Sequence, residues 1–210
     1  MHNASQNVAG LILAGGQSRR MGGYDKALMR LGGKYLLAHV MERLHPQASP
    51  IALSANGDIT RFAIFHLATL PDSNETPAGP LAGVLAGLRW MRECTTAAWL
   101  VTAPVDSPFI PRTLVSRLLM SVDSSTQIVV ARSHEQLHPV VALWSLRTAD
   151  TLADWLARQN NRAVHQWIAT QSSKIVDFED EGGFDPFFNI NTPHDLDVAR
   201  RRHSGTEPSA

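Results

Sequence analysis

A single cysteine, Cys94, stands among the 210 residues, which excludes an internal disulfide framework and any cysteine-built structural zinc site. Its neighbours Trp90, Met91, Arg92 and Glu93 read as a helix face, so the sequence predicts a buried or half-buried, inert thiol. Net charge is missing too: 19 lysines and arginines balance 19 aspartates and glutamates. A chain without basic excess is a poor non-specific binder of nucleic acid or of a membrane surface. No apolar run approaches the ~18 residues that a bilayer span needs. Met1 to Asn7 lack the basic-then-apolar layout of a secretory signal, so the expected address is cytoplasmic. Internal repeats and low-complexity tracts are likewise lacking. What remains, 44% hydrophobic and 18% charged residues, is the composition of a folded domain. At this length one large domain is expected over 8–200, between a flexible start at 1–7 and a flexible tail at 201–210.

Periodicity then divides the chain. Val8 to Leu13 is short, apolar and bounded by glycine, as in a buried parallel strand. Leu36, Leu37, Val40, Met41 and Leu44 mark the apolar stripe of a helix from Lys34 to His45, closed by Pro46. Ile51 to Ser54 and Ile64 to Leu70 read as strands, and a helix is predicted after Gly79 and Pro80 to about Glu93. Ala97 to Thr102 reads as a central strand whose carboxyl end opens into the loop from Ala103 to Pro111. Pro111 suits the first turn of a helix reaching Val122. Gln127 to Ala131 and Val140 to Trp144 follow as two strands joined by a turn. Helices are predicted over Thr148 to Gln159 and Arg162 to Thr170, a strand over Lys174 to Phe178, and a last helix capped by Thr192 with Pro193 at its first position. Alternation of strand and helix through the first half implies an α/β fold, a parallel sheet covered on both faces. The tryptophans at 90, 99, 144, 155 and 167 sit in apolar stretches and are assigned to the core.

Chemistry gathers after the first strand, in Leu13-Ala14-Gly15-Gly16-Gln17-Ser18-Arg19-Arg20-Met21-Gly22-Gly23-Tyr24-Asp25-Lys26. Strand, glycines, then cations is a layout for phosphate: glycine admits close backbone approach, amides donate to phosphate oxygens, and arginine or lysine neutralises charge. Backbone alone offers about half a unit of positive charge. A well-placed cation adds on the order of 4 kcal/mol at an effective dielectric of 20. Arg19, Arg20 and Lys26 are the candidates. The segment is not a P-loop, because Lys34 in Gly32-Gly33-Lys34-Tyr35 is followed by tyrosine, and no G-x-G-x-x-G follows Leu13. A glycine-rich surface turn is the alternative.

The string LAGGQSRRMGGYDKAL resembles the signature of the molybdenum cofactor guanylyltransferases. Four further blocks resemble that family's motifs in order and spacing: Gly79-Pro80-Leu81-Ala82-Gly83, Pro104-Val105-Asp106-Ser107-Pro108-Phe109-Ile110-Pro111, His138-Pro139, and Phe188-Asn189-Ile190-Asn191-Thr192-Pro193. The resemblance covers most of the chain to about residue 200. It implies a Rossmann-like three-layer nucleotidyltransferase fold with a mainly parallel sheet. It also implies transfer of GMP from magnesium GTP to the terminal phosphate of molybdopterin, with release of pyrophosphate. Partners implied are GTP, the pterin, with or without molybdenum, and the proteins that deliver and collect it. On the same ground Leu13, Ala14, Gly15 and Gly16 would meet the nucleotide through backbone, Lys26 and Arg20 would serve its phosphates, and Ser54, Asn56 and Asp72 would line its site. Asp106, beyond the carboxyl end of a central strand, is assigned the magnesium, which prefers hard oxygen ligands. His138, Asn189 and Asn191 fall on the pterin side.

Alternatives stand beside these roles: Asp106 as a turn cap ahead of Pro108, Asp72 as a strand-end turn residue, Asn189 and Asn191 as turn and cap residues. The chain departs from the family at Ser54, where asparagine is usual, at Tyr35, where proline is, and at Val105, often cysteine. Cytidylyl transfer to the same pterin is the nearest rival, disfavoured because such relatives tend to carry Leu-Ala-Ala-Gly at the first motif. A sugar-nucleotide pyrophosphorylase and a non-enzymatic nucleotide-binding regulator are more distant. His134-Glu135-Gln136-Leu137-His138 matches the H-E-x-x-H zinc motif, yet its β-like flanks and Pro139 deny it the helix the motif requires. It is predicted to be a hairpin turn.

Overall fold

The computed structural model describes residues 7–15, 25–71, 79–158 and 163–205. The first strand is β1 (Val8–Leu13), and a small hairpin of β2 (Arg30–Leu31) and β3 (Lys34–Tyr35) precedes α1 (Leu36–Leu44). Next come β4 (Ile51–Ser54), a 3-10 helix over Ile59–Phe65, β5 (Ala68–Leu70), α2 (Pro80–Cys94), β6 (Trp99–Pro104) and α3 (Leu114–Met120). The hairpin β7 (Ile128–Ser133) and β8 (Gln136–Ser145), then α4 (Ala149–Arg158), α5 (Val164–Ile168), β9 (Ser173–Asp177) and α6 (Pro193–Ser204), complete the chain.

Several boundaries differ from expectation for local reasons. Gly32 and Gly33 both adopt positive φ and fold Lys34–Tyr35 back on Arg30–Leu31, so α1 starts at Leu36 and not at Lys34. The Asp58 carboxylate caps the Thr60 amide and starts a 3-10 helix, which His66 ends in the left-handed region. The strand expected from Ile64 is therefore only Ala68–Leu70. Helix α3 begins three residues after Pro111. Cys94 is exposed, contrary to the buried or half-buried thiol expected, because the buried stripe of α2 ends at Met91. Helix α6 opens with a full capping box between Thr192 and Asp195 and runs through Ser204 to a left-handed Gly205.

The seven-stranded sheet has the order β5-β4-β1-β6-β8-β7-β9. Strands β5, β4, β1 and β6 are parallel, β8 is antiparallel to both β6 and β7, and β9 is parallel to β7. Side chains alternate between two cores: Val8 and Ile12 of β1 join α1 and α3 on one face, while Ala9 and Leu11 join α2, α4 and α5 on the other. Trp99, Trp144 and Trp167 are buried as expected, and Trp90 and Trp155 half-buried against the second core. A third cluster, Leu31, Leu36, Ile190, Leu196 and Ala199, seats α6 on the small hairpin. Among the described residues no helix is long and apolar enough to cross a membrane.

Two features place a crevice. The chain leaves β1 through α1 to β4 on one side and returns through α2 to β6 on the other. Strand order thus reverses at β1, the position where open α/β sheets bind ligands. Registry also aligns the carboxyl ends: Leu13 sits opposite both Ser54 and Pro104, and Ser54 opposite Leu70. Gly15, Asn56 and Asp106 each follow their strand end by two residues.

Candidate active site at the carboxyl ends of the central strands

The Lys26 ammonium donates to Asp106 Oδ2 at 2.9 Å and to Asn191 Oδ1 at 2.5 Å. Three residues spread over 165 positions of sequence thus meet at one point, with the lysine and aspartate side chains each 20% exposed. Local structure aims each of them. Asp25 caps a 3-10 turn over Lys26–Leu28 by accepting from the Ala27 amide at 3.0 Å. Val105 N–H donates to Leu13 O at 3.0 Å, which continues the β1–β6 pairing past the strand end and presents Asp106. Asn191 precedes the α6 cap, and its backbone N–H donates to Asp195 Oδ2 at 2.9 Å.

The segment carrying the asparagines is laced to the Asp106 loop. Ile190 N–H donates to Asp106 O at 2.9 Å, and Ser107 Oγ donates to Asn189 Oδ1 at 2.6 Å. Behind it lies a buried chain: Ser133 Oγ bonds His138 Nε2 at 2.8 Å and Asp185 Oδ1 at 2.8 Å. A hydroxyl has one proton, and the carboxylate requires it, so Ser133 accepts from His138 Nε2–H. Burial holds the His138 imidazole below its usual range despite the nearby Asp185 charge, which keeps that ring neutral. His138 packs on Phe187 with ring centroids 4.7 Å apart, and Phe187 N–H donates to Asp185 Oδ1. His138 therefore braces the 185–191 segment from behind, with 7% of its surface exposed. The hairpin turn itself is His134–Glu135, both at positive φ, and Gln136 to His138 begin β8, so the two histidines of H-E-x-x-H share no helix face.

On the β4 side of the crevice, Ala14 N–H donates to Ser54 O at 2.9 Å, with Leu13 and Ala14 half-buried and Gly15 exposed. Ser54 is 1% exposed, covered by α2. A Cβ at Gly83 would lie 2.5 Å from Ser54 Oγ and 2.9 Å from Leu13 Cδ2, so only glycine lets α2 sit this close to the strand ends. Gly79, at φ 63° and ψ −164°, holds backbone that only glycine adopts freely, which explains the Gly79–Gly83 block locally. Asn56 is exposed in the loop after β4, and its carbonyl accepts from Arg61 Nη2 at 2.9 Å. Gly16, Arg19, Arg20 and Asp72 lie outside the described residues.

The Asp106 carboxylate and the Asn191 amide oxygen converge on one cation, and hard oxygen donors are what magnesium takes. Among the described residues no group of three or more histidines, cysteines or acids gathers. A lone carboxylate fits magnesium, which commonly binds through one or two carboxylates together with substrate phosphates and waters. Asp25, Arg61, Ser107, Ser133 and Asp185 were not assigned to the site from sequence; of these, Asp25 and Asp185 each accept from the amide two residues on, a short-range signature.

An open, mainly parallel sheet with a lysine and an aspartate facing each other at its switch point defines a Rossmann-like nucleotidyltransferase. The solved molybdopterin-guanine dinucleotide biosynthesis protein A from Archaeoglobus fulgidus has this fold, with TM-score 0.72 at 23% identity over 94% of this chain and 99% of that one. More narrowly, the chain belongs to the MobA-like NTP transferase domain family, whose model matches residues 10–174. It is 45% identical over 199 residues to a molybdenum cofactor guanylyltransferase from Mesorhizobium japonicum, covering 93% of this chain and 96% of the relative. It is 47% identical over 187 residues to one from Cereibacter sphaeroides, covering 89% and 92%.

Proposed function

We propose that this chain is a cytoplasmic enzyme that transfers GMP from GTP to the terminal phosphate of molybdopterin. The products are the guanine dinucleotide form of the molybdenum cofactor and pyrophosphate. The observation that carries the reading is the meeting of Lys26 and Asp106, 2.9 Å apart, at the mouth of β1 and β6. The names of the relatives at 45–47% identity over nearly the whole chain support guanine and the pterin as the two substrates.

A phosphate oxygen of the pterin attacks the α-phosphorus of GTP. The new P–O bond forms in line with the bond that breaks to the α,β-bridging oxygen, and pyrophosphate leaves with the electron pair. Such a reaction asks the protein for positioning and charge neutralisation, not for a covalent nucleophile. Backbone at Leu13, Ala14, Gly15 and Gly16 borders the nucleotide, with Ser54, Asn56 and Asp72 beyond it. Lys26, joined by Arg20, shifts its charge from Asp106 and Asn191 to the phosphates. Asp106 holds magnesium, which when bound neutralises charge on the phosphate oxygens. Asn189 and Asn191 face the pterin, and His138 acts through the segment it braces. Any partner that delivers or collects the pterin would meet this side.

The test supplies molybdopterin, magnesium and each of the four nucleoside triphosphates in turn and measures pyrophosphate release. GTP is expected to be used in strong preference. Preference for CTP, or release without pterin dependence, overturns the reading.

A further inference from the structure

Arg61 sits in the 3-10 helix after β4, and its guanidinium ties Asp25, the residue before Lys26, to the loop after β4. Its Nε donates to Asp25 Oδ2 at 2.7 Å, its Nη2 to Asn56 O at 2.9 Å, and its Nη1 to Asp58 O. The plane lies over the Phe62 ring, 4.3 Å from its centroid, and Phe62 is 1% exposed, so the fork is seated on the core. Arginine and aspartate are 28% and 24% exposed, a half-sheltered pair with both carboxylate oxygens engaged: Oδ2 by Arg61, Oδ1 by the Ala27 amide.

Asp25 is the residue before Lys26, and it ends the glycine-rich stretch that Gly15 begins. The near end of that stretch is fastened to β4 through Ala14 N–H and Ser54 O. The far end is fastened to the loop after β4 through Asp25 and Arg61, 36 positions apart. Ala14 and Asp25, which flank the glycine-rich sequence, are therefore both bonded to one segment, 54–61, which also bears Asn56.

We infer that Arg61 is a positioning residue: it fixes Asp25, and through Asp25 the turn that aims Lys26 at the nucleotide phosphates. The inference rests on the reading above, in which Lys26 serves a triphosphate. A planar fork that bonds a carboxylate and two carbonyls while stacked on a ring is arginine chemistry that lysine cannot reproduce. Loss of the fork leaves the Lys26 charge in place but its turn unheld. Asn56 and Asp58 are exposed, so water can replace the fork at their carbonyls, and the weaker triphosphate binding runs mainly through Lys26.

The test is a double-mutant cycle on affinity for magnesium GTP, measured by calorimetry on the full chain, with a thermal melt of every variant. Lys26→Met is expected to weaken binding about a hundredfold and Arg61→Gln about tenfold, the scale of losing one charged hydrogen bond. In the Lys26→Met background, Arg61→Gln is expected to change affinity less than twofold. Asp25→Asn keeps an oxygen for the Ala27 amide and removes the anion, so it should match Arg61→Gln and serves in its place if the arginine variant does not fold. Arg61→Lys should recover only part of the loss. Multiplying losses in the double variant, or an Arg61→Gln protein that binds as the wild type does, overturns the positioning role. Unchanged binding in Lys26→Met alone overturns the underlying reading instead.

Discussion

Replacing Gly83 by alanine probes whether α2 is seated on the strand ends as tightly as the site requires. The added Cβ would stand 2.5 Å from Ser54 Oγ, 3.3 Å from Ser54 Cβ and 2.9 Å from Leu13 Cδ2. Ordinary carbon contacts begin near 3.5 Å, so the overlap with the hydroxyl approaches ~1 Å. Ser54 is buried, and its main chain is engaged by β1 and β5, so relief must come from α2 lifting or from side chains leaving their rotamers. Overpacking of this kind costs up to ~3 kcal/mol. The better helix propensity of alanine returns ~1 kcal/mol. The net loss, about 2 kcal/mol, corresponds to a fall in Tm of about 4–8 °C in a chain of this size. Thermal and urea unfolding followed by circular dichroism measure it. Ser54→Ala removes the closest atom, so Gly83→Ala should cost less than half as much in that background. A Gly83→Ala protein as stable as the wild type, or an equal loss with and without the Ser54 hydroxyl, would refute the close seating of α2.

Three further outcomes are expected. Asp106→Asn should keep the fold and lower turnover by about a thousandfold, the loss typical of a group that acts on transition-state charge; near-normal turnover would remove Asp106 from the chemistry. Thr102→Val should cost about 1–3 kcal/mol in urea denaturation, because Thr102 Oγ1 accepts from the buried Trp144 Nε1 at 2.8 Å and a methyl leaves that donor unsatisfied. Burial lowers the pKa of both His39 and His138 from 6.5, so the unfolded chain binds more protons as pH falls below that value. Stability conferred by these neutral rings is complete above pH 6.5, declines on acidification, and levels off below their folded pKa values. A urea midpoint that His39→Gln and His138→Gln leave equally pH-dependent between pH 7 and 5.5 would refute that assignment.

Legibility from sequence followed the range of the interactions. The β1 strand, the Gly79–Gly83 helix start and the Thr192–Pro193 cap were readable because apolar period, glycine backbone and capping hydroxyls act within a few residues. Strand β3 reads from sequence as the start of a helix because Lys34 and Tyr35 suit either state, and two positive-φ glycines with α6 packed on the hairpin decide between them. The strand expected from Ile64 failed for a comparable reason: the Asp58 cap and left-handed His66 lie outside its apolar run. Lys26 and Asp106 are singled out through motif resemblance and do meet in the structure, whereas the Arg61–Asp25 pair, 36 residues apart, carries no local mark.

By itself the amino-acid order determined that the chain folds as alternating strands and helices, where its glycine-rich and aspartate-bearing turns lie, and which family those turns belong to. These are properties of neighbouring residues. Only the tertiary structure decided that Lys26, Asp106 and Asn191 share one point, that His138 braces a segment from behind, and that Arg61 stands guard over Asp25. Strand order and registry bring distant carboxyl ends level, and that order is set by how both faces of the sheet bury their apolar side chains, a condition met by the whole chain at once.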